Sequence, residues 1–460
     1  MKQTIRHIHF IGIGGIGMSA LAEILHRKGY AVSGSDQARS AVTAHLAEKG
    51  ITVFEGHRSE QVRGELVVYS SAIDVSNPEL AEARRRNIPC IKRAELLGEL
   101  LRNRKGICVA GTHGKTTTSA MIGTMLIHAG FDPTLFIGGI VKAIQSNTRL
   151  GDSEWIVAEA DEFDRSFLQM HSFISVINNI EADHLDCYRD LEDLRQSFTQ
   201  FANMTSLFGS VVINVDDPGA AGILPSVVRK KITLGIRKPA MLTAGAIHTG
   251  NGKTSFSVMD NHNQLGQIQL VIPGMHNVYN ALAAVAVGLE LEIPFETIRQ
   301  SLSVFEGAAR RFDIIGTPGD ITVIDDYAHH PSEIRATLRS AKERYPQNRI
   351  IAVFQPHLYS RTRDFLDDFA QAFQTADRVI LTDIYAAREK PIPGLDLIQI
   401  LNDKLTAAHP HAELIKNQQQ IPPALWSLCR PGDVVIFLGA GDITQTAKQF
   451  AEFHNKKASK

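Results

Sequence analysis

The sequence predicts an α/β protein of three domains: a Rossmann-like domain over residues 1–104, a P-loop domain with a mainly parallel sheet over 105–312, and a second Rossmann-like domain over 313–460. Three observations predict it. A length of 460 residues exceeds what one core organises, at roughly 100–200 residues per domain. Short continuous apolar runs alternate with helical patterns along the chain, which is how strands buried on both faces of a parallel sheet read. Two glycine-rich loops, each set between such a run and a helix, lie about a hundred residues apart.

The first domain opens on a strand-like alternation from Ile5 to Ile11 and runs into Gly12-Ile-Gly14-Gly15-Ile-Gly17, then a helix through Leu21, Leu25 and Gly29. A second strand, Tyr30 to Ser33, is followed by Asp36. This is G-x-G-x-x-G in its proper setting, with the acid about 20 positions on. The glycines let backbone approach a pyrophosphate and Asp36 accepts from a ribose hydroxyl; glycines serving only close packing are the alternative. Which nucleotide is bound stays open. Val67 to Ile73 ends a further strand in the hydroxyls of Ser70 and Ser71, at the carboxyl edge where open α/β sheets hold ligands.

In the second domain the apolar run from Ile107 ends in Gly111-Thr112-His113-Gly114-Lys115-Thr116-Thr117, and a helix with Met121, Ile122, Met125 and Leu126 on one stripe follows. Backbone N–H groups at such a helix start point at anions, the lysine reaches the β and γ phosphates, and a threonine hydroxyl holds Mg²⁺. Val109 stands where the standard loop has its first glycine, which argues against an ordinary kinase or GTPase. Apolar runs at Trp155 to Ala158, Phe173 to Ile177 and Val211 to Ile213 end in Glu159-Ala-Asp161-Glu162, Asn178-Asn-Ile-Glu181-Ala-Asp183-His184 and Asn214-Val-Asp216-Asp217. Singly, Glu159 reads as a cap or surface acid and His184 as a satisfied polar residue. Collected beside Lys115 and Thr116 at one sheet edge, they suit Mg²⁺. Thr249 to Asn263 reads as a hairpin. Asn277 and Asn280 stand at i, i+3 beside an apolar helix, Ala281 to Leu289; N-capping and an amide reading a base edge are both open. Arg310-Arg311-Phe312 precedes the switch into the third domain.

There, strands at Ile321 to Ile324, Ile350 to Phe354, Val379 to Leu381 and Val434 to Leu438 run into Asp325-Asp326-Tyr327-Ala-His329-His330, Gln355-Pro-His357-Leu-Tyr359-Ser-Arg361-Thr362, Asp383-Ile-Tyr385 and Gly439-Ala-Gly441-Asp442. Adjacent His329 and His330 point differently and have no third ligand at metal spacing, so structural or substrate contact is preferred to a metal.

The formal charge of −1, with acids and bases interspersed, removes a bulk electrostatic case for nucleic acid or membrane. Cys90, Cys108, Cys187 and Cys429 form no C-x-x-C pair and suit a reducing compartment. The glycine-filled stretch from His9 to Met18 is a poor signal-peptide core, and no apolar stretch approaches the roughly 20 residues that span a bilayer. The expectation is a cytoplasmic protein, monomer or homodimer. A pyrophosphate loop and a triphosphate loop in one chain exceed what a dehydrogenase or a simple ATPase needs; a ligase acting on a nucleotide-linked substrate uses both.

These motifs, in order and spacing along nearly the whole chain, resemble the Mur ligase family. The first-domain loop with Phe354-Gln-Pro-His357 and Tyr359-Ser-Arg361-Thr362 resembles its alanine-adding branch. The resemblance implies a central P-loop ATPase domain and the cofactors ATP and Mg²⁺, with UDP-N-acetylmuramate and L-alanine as small-molecule partners. The acceptor carboxylate is phosphorylated to an acyl phosphate, which the amine of alanine attacks. It also implies roles. Gly12, Gly14, Gly15, Gly17, Asp36, His57 and Ser71 would receive the UDP moiety. Gly111 to Thr117 would cradle ATP, Lys115 stabilising the transferring phosphate, and Thr116, Glu159 and His184 would hold Mg²⁺. Asn277 and Asn280 would sit at adenine, Arg311 at the phosphates and Asp326 at the ribose, with the third domain closing over ATP. Tyr327, His329, His357 and Arg361 would lie on the muramate and alanine side, Arg361 facing the alanine carboxylate. No lysine occurs from 143 to 229, as expected of a branch without the carbamylated lysine of its relatives. Leu358 stands where arginine is common and Ala328 where glycine is common.

Overall fold

The structure is a computed structural model that describes residues 5–70, 72–183, 187–250, 252–387 and 389–457. Ser71 and His184 lie outside the described residues. The chain forms two compact units, Met1–Met241 with Ala283–Ile298, and Leu242–Leu282 with Arg299–Lys460.

The first unit holds two sheets. In one, β1 (His7–Ile11), β2 (Ala31–Asp36), β3 (Thr52–Glu55), β4 (Leu66–Tyr69) and β5 (Cys90–Lys92) pair in parallel, in the order β3-β2-β1-β4-β5. Because β2 and β4 flank β1 on opposite sides, strand order reverses at the carboxyl end of β1, where the first glycine loop emerges. Helix α1 (Ile16–Arg27) buries Leu21 and Leu25 in one core with Phe10 and Val68. Ser40 caps α2 (Ala41–Glu48), and Asn77 with Pro78 starts α3 (Pro78–Arg85), as helix N-termini prefer. Helix α4 (Arg93–Leu101) follows β5.

The other sheet of this unit comprises β6 (Lys105–Ala110), β7 (Thr134–Val141), β8 (Ser146–Arg149), β9 (Trp155–Glu159), β10 (Ile174–Ile177), β11 (Ser210–Asn214) and β12 (Lys230–Gly235), in the order β12-β11-β10-β6-β9-β7-β8. All these pairs are parallel except β7 with β8. Helix α5 (Lys115–His128) leaves β6 and fully buries Met121, Ile122, Met125 and Leu126, the stripe the sequence shows. Helix α6 (Leu191–Asn203) adds Phe198 and Phe201, whose rings each lie 5.0 Å from that of Phe167. Helix α7 (Pro218–Ile223) is capped by Asp217.

In the second unit β13 (Leu242–Gly250), β14 (Lys253–Asp260) and β15 (Asn263–Leu270) form antiparallel hairpins over the expected segment. Helices α8 (Met275–Glu290) and α9 (Phe295–Ser303) follow in sequence, their residues from Ala283 to Ile298 counting with the first unit. A six-stranded sheet then combines β16 (Asp313–Gly316), β17 (Thr322–Asp326), β18 (Ile350–Phe354), β19 (Arg378–Leu381), β20 (Ala412–Leu414) and β21 (Val434–Leu438), in the order β16-β17-β21-β18-β19-β20. Only β16 runs antiparallel to its neighbour. Every residue of β18 and β21 is buried, as continuous apolar runs predict for central strands. Helices α10 (Pro331–Arg344) and α11 (Tyr359–Asp364) start just beyond β17 and β18. No described helix is long and apolar enough to cross a membrane.

Candidate active site

The loop after β6 is tied to the end of β10. Gly111 has φ of +142°, and a Cβ there would lie 3.1 Å from Asn178 Cβ and 3.2 Å from both the N and the O of Asn179, so a side chain would be both strained and crowded. Thr112 N donates to the Asn179 carbonyl (3.2 Å), His113 N to the Asn179 side chain (2.7 Å), and the Asn178 amide to Thr118 Oγ1 (3.1 Å). The Thr112 hydroxyl donates to the Glu181 carbonyl (3.2 Å) and accepts from Glu181 N (2.9 Å). Gly114, at φ +82°, precedes α5, and no side chain caps that helix, which leaves its first turn suited to an anion. Thr116 and Thr117 are buried in the first turn.

Lys115 reaches back over this loop. Its Nζ donates to Gly111 O (2.6 Å) and to Glu162 Oε2 (2.7 Å). Burial alone would lower its pKa, but Glu162, Asp161 and Glu159 together hold it above the ordinary lysine range. Three carboxylates thus act on one ammonium. The sequence reading takes Glu159 as a candidate Mg²⁺ ligand; here Lys115 pairs with Glu162, and Glu159 accepts from Gly138 N on β7. Tyr188, whose hydroxyl donates to the Glu162 carbonyl at 2.6 Å, fixes that segment.

Glu159 and Asp161 line a cavity of about 310 Å³ together with Gly15, Gly17 and Arg93, so the first glycine loop and the carboxylates share one cleft within this unit. Arg93, the first residue of α4, lies under Gly17, where a Cβ would come within 2.9 Å of Nη1. No described residue pairs with it. A cation in the first turn of a helix opposes the macrodipole, so an anion is favoured there. In the loop, Ser35 O accepts from Gly12 N (2.8 Å) and Ile13 N (2.9 Å), and Asp36 Oδ2 accepts from Gly14 N (2.8 Å). Asp36 therefore shapes the loop directly. His57 stands beyond the carboxyl end of β3, its Nδ1 at 2.9 Å from Ser35 Oγ.

In the second unit, Asn277 and Asn280 are buried on α8 and bond to each other, Asn280 Nδ2 donating to Asn277 Oδ1 (3.0 Å), while Asn277 Nδ2 donates to Pro273 O (2.6 Å). Asp326, at the end of β17, accepts from Phe312 N (2.7 Å) and Ala328 N (2.8 Å). Arg310 and Arg311 both lie over the Tyr327 ring, at 4.9 and 5.1 Å. The Tyr327 and His329 rings are 5.3 Å apart, those of His329 and His357 5.9 Å, and Tyr385 stacks on His357 at 5.7 Å. Arg361 is buried and its Nη1 donates to His357 Nδ1 (3.3 Å), which places the proton of a neutral His357 on Nε2. His330 caps α10, its Nδ1 3.4 Å from Ser332 N. The expected substrate-side residues Tyr327, His329, His357 and Arg361 are therefore brought together, and Tyr385 joins them. Its signal was a polar residue just past a strand's carboxyl end.

Burial raises the Asp326 carboxyl to about 6, against the opposing pull of Arg311. The ordinary carboxyl value near 3.9 applies to the unfolded chain. Folding therefore favours the protonated form, and this group's contribution to stability is lost as pH rises through about 6. From pH 7 to pH 5 the protein should gain about 1 kcal/mol of stability relative to Asp326→Asn, read from urea unfolding of both proteins. Curves that stay parallel over that range would refute the assignment.

Three family models match the chain: "Mur ligase family, catalytic domain" over residues 7–105, "Mur ligase middle domain" over 109–288, and "Mur ligase, glutamate ligase domain" over 310–441. A UDP-N-acetylmuramate–L-alanine ligase of Salinibacter ruber is 48% identical over 450 residues, covering 97% of this chain and 95% of that protein. The Sorangium cellulosum protein of the same name is 45% identical over 445 residues, covering 96% and 95%. Among solved structures, the UDP-N-acetylmuramate-alanine ligase of Thermotoga maritima superposes with a TM-score of 0.85 at 31% identity, covering 99% of this chain and all of that one. A murein peptide ligase of Psychrobacter arcticus superposes with a TM-score of 0.73 at 26% identity, covering 97% and 98%.

Proposed function

Because the chain belongs to the Mur ligase family, we propose that it joins L-alanine to the carboxylate of UDP-N-acetylmuramate at the expense of ATP. The observation that carries the reading is Lys115, held at the mouth of a glycine loop and an uncapped helix start, with Glu159, Asp161 and Glu162 acting on it. A carboxylate oxygen of the muramate attacks the γ-phosphorus and ADP leaves with the bridging oxygen. The alanine ammonium loses one proton to solvent, its nitrogen attacks the acyl carbon, and phosphate leaves as the nitrogen gives up a second proton and the amide bond forms. Positioning and charge neutralisation supply most of the catalysis in such a transfer.

Lys115 faces the transferring phosphoryl group, and Gly111 to Thr117 cradle the triphosphate. Glu159, Asp161 and Glu162 act on one ammonium there, and that negative excess fits a hard divalent cation. Thr116, Glu159 and His184 would hold Mg²⁺, which neutralises phosphate charge when bound. Gly12, Gly14, Gly15, Gly17, Asp36, His57 and Ser71 take the UDP moiety, and Arg93, unpaired in the same cleft, is added to them as the partner of its diphosphate. Asn277, Asn280, Arg311 and Asp326 serve the nucleotide, and Tyr327, His329, His357 and Arg361 the amino-acid side. The domain division at 104/105 and 312/313, a cytoplasmic location, and a monomer or homodimer complete the reading.

ADP release measured across amino acids tests it. Release should require UDP-N-acetylmuramate, L-alanine and Mg²⁺ together. Stimulation by a tripeptide amine but not by alanine would transfer the chain to a peptide-adding role, and release without the muramyl nucleotide would refute ligation.

A further inference from the structure

The first sheet contains a buried chain of proton donors and acceptors that ends at His57. Glu79, on α3, is fully buried. Its Oε1 lies 3.4 Å from Arg58 N and, with the Gln61 amide turned to satisfy both its ends, 2.7 Å from the Gln61 nitrogen. Its Oε2 takes the Ser35 hydroxyl proton at 2.5 Å, with His57 Nδ1 at 3.5 Å and Nε2 of buried His9 at 3.7 Å. Burial alone would raise this carboxyl, but nearby His9 and the hydrogen bonds from Ser35 and Arg58 outweigh it and hold it below the usual range. Glu79 is thus an acceptor-only carboxylate.

Ser35 has one hydroxyl hydrogen, and it is committed to Glu79. The contact of 2.9 Å between Ser35 Oγ and His57 Nδ1 then requires the hydrogen to come from the histidine. A neutral His57 therefore carries its proton on Nδ1 and presents a bare Nε2 as acceptor, and no described residue occupies that atom. The same Ser35 anchors the glycine loop through its carbonyl, which receives Gly12 N and Ile13 N. One residue thus sets both the loop and the imidazole.

We propose that Glu79 is a positioning residue which, through Ser35, fixes His57 as the Nδ1–H tautomer so that Nε2 accepts a hydrogen bond from the nucleoside part of the UDP substrate. The donor is a ribose hydroxyl or the uracil N3–H; a phosphoryl oxygen, having no proton, is excluded as partner of the neutral ring. The proposal rests on the reading of this domain as the UDP site.

Long-range ¹H–¹⁵N correlation of the full-length protein reads the His57 tautomer directly, before any ligand is added. The wild type should show Nδ1–H. In Glu79→Gln the new amide donates to Ser35 Oγ, the serine proton turns to His57 Nδ1, and the ring should shift to Nε2–H. Calorimetric titration with UDP should then show affinity about tenfold weaker. Ser35→Ala leaves the buried carboxylate in place and should weaken UDP by a similar factor, with the double variant no worse than either single one. Against 2′-deoxy-UDP and N3-methyl-UDP, the analogue lacking the contacted donor should lose affinity for the wild type but little more for Glu79→Gln. A wild-type His57 carrying its proton on Nε2, or unchanged UDP affinity once the tautomer has flipped, would overturn the proposal. Failure of the wild type to bind UDP at all would instead overturn the site reading and, with it, the ligand role of His57, while the tautomer result would stand on its own.

Discussion

Lys115→Ala should reduce turnover about 10³-fold or more, the range seen when one preorganised cation or donor is removed from a phosphoryl-transfer or oxyanion site. The side chain is positioned in advance by Gly111 O and Glu162, so no reorganisation is needed when charge develops on the transferring group. Its raised pKa keeps it protonated at working pH. The same substitution has a second effect. Glu162 is only 2% exposed, and removing its ammonium leaves a buried carboxylate without its counter-charge, a loss of about 3–5 kcal/mol in comparable pairs. Catalytic and structural losses are therefore confounded in the single variant. Lys115→Met combined with Glu162→Gln separates them: the melting temperature should recover much of its loss while turnover stays down. UDP affinity, read by titration, should be unaffected in either variant. Recovery of turnover along with stability would show that Lys115 serves the fold alone.

Why sequence located Lys115 and the acids but not their pairing is a matter of range. The loop is a local pattern, a strand, fixed spacings and a helix, and β6 and α5 lie where that pattern puts them. The choice between Glu159 and Glu162 depends on β7, which supplies Gly138 N to Glu159, and on the turn after Glu162, where Asp164 and Arg165 both adopt positive φ. Neither feature has a sequence period. The same holds for strands. β18 and β21 are continuous apolar runs and were legible to the residue, whereas β3, β5 and β20 are three or four residues long and only partly buried, so they lack the run that betrays a central strand. Of the unanticipated site residues, Arg93 had a usable signal: Lys92 and Arg93 place two cations at the start of a helix, against the macrodipole. Glu79 had none, because its importance lies in Ser35 and His57, which come from different strands and loops of the sheet.

Arg361 carries the largest effect expected on the amino-acid side. It sits on α11, whose start is held in place by unusual means. Leu358 precedes the helix at φ +71° and ψ 138°, a conformation that costs a non-glycine residue about 1–3 kcal/mol and persists only where the surroundings enforce it. They do so here: Leu358 N donates to Tyr385 O (3.0 Å), Tyr385 N to Pro356 O (2.8 Å), and the Thr362 hydroxyl to Leu358 O (2.7 Å). Glu389 fastens the first turn by accepting from both the N (2.9 Å) and the hydroxyl of Ser360. The result is a guanidinium whose orientation is settled before substrate arrives. A planar fork so held matches a carboxylate with two parallel hydrogen bonds, and lysine, a point charge, does not reproduce it. Arg361→Lys should therefore raise the KM for L-alanine about a hundredfold, with the KM for ATP little changed, in the ADP-release assay. Glu389→Gln should act in the same direction but more weakly, since it loosens the helix without removing the fork. An alanine KM unmoved by Arg361→Lys would place the carboxylate elsewhere, and an equal rise in the KM for ATP would mean that Arg361 holds the domain together and does not read the amino acid.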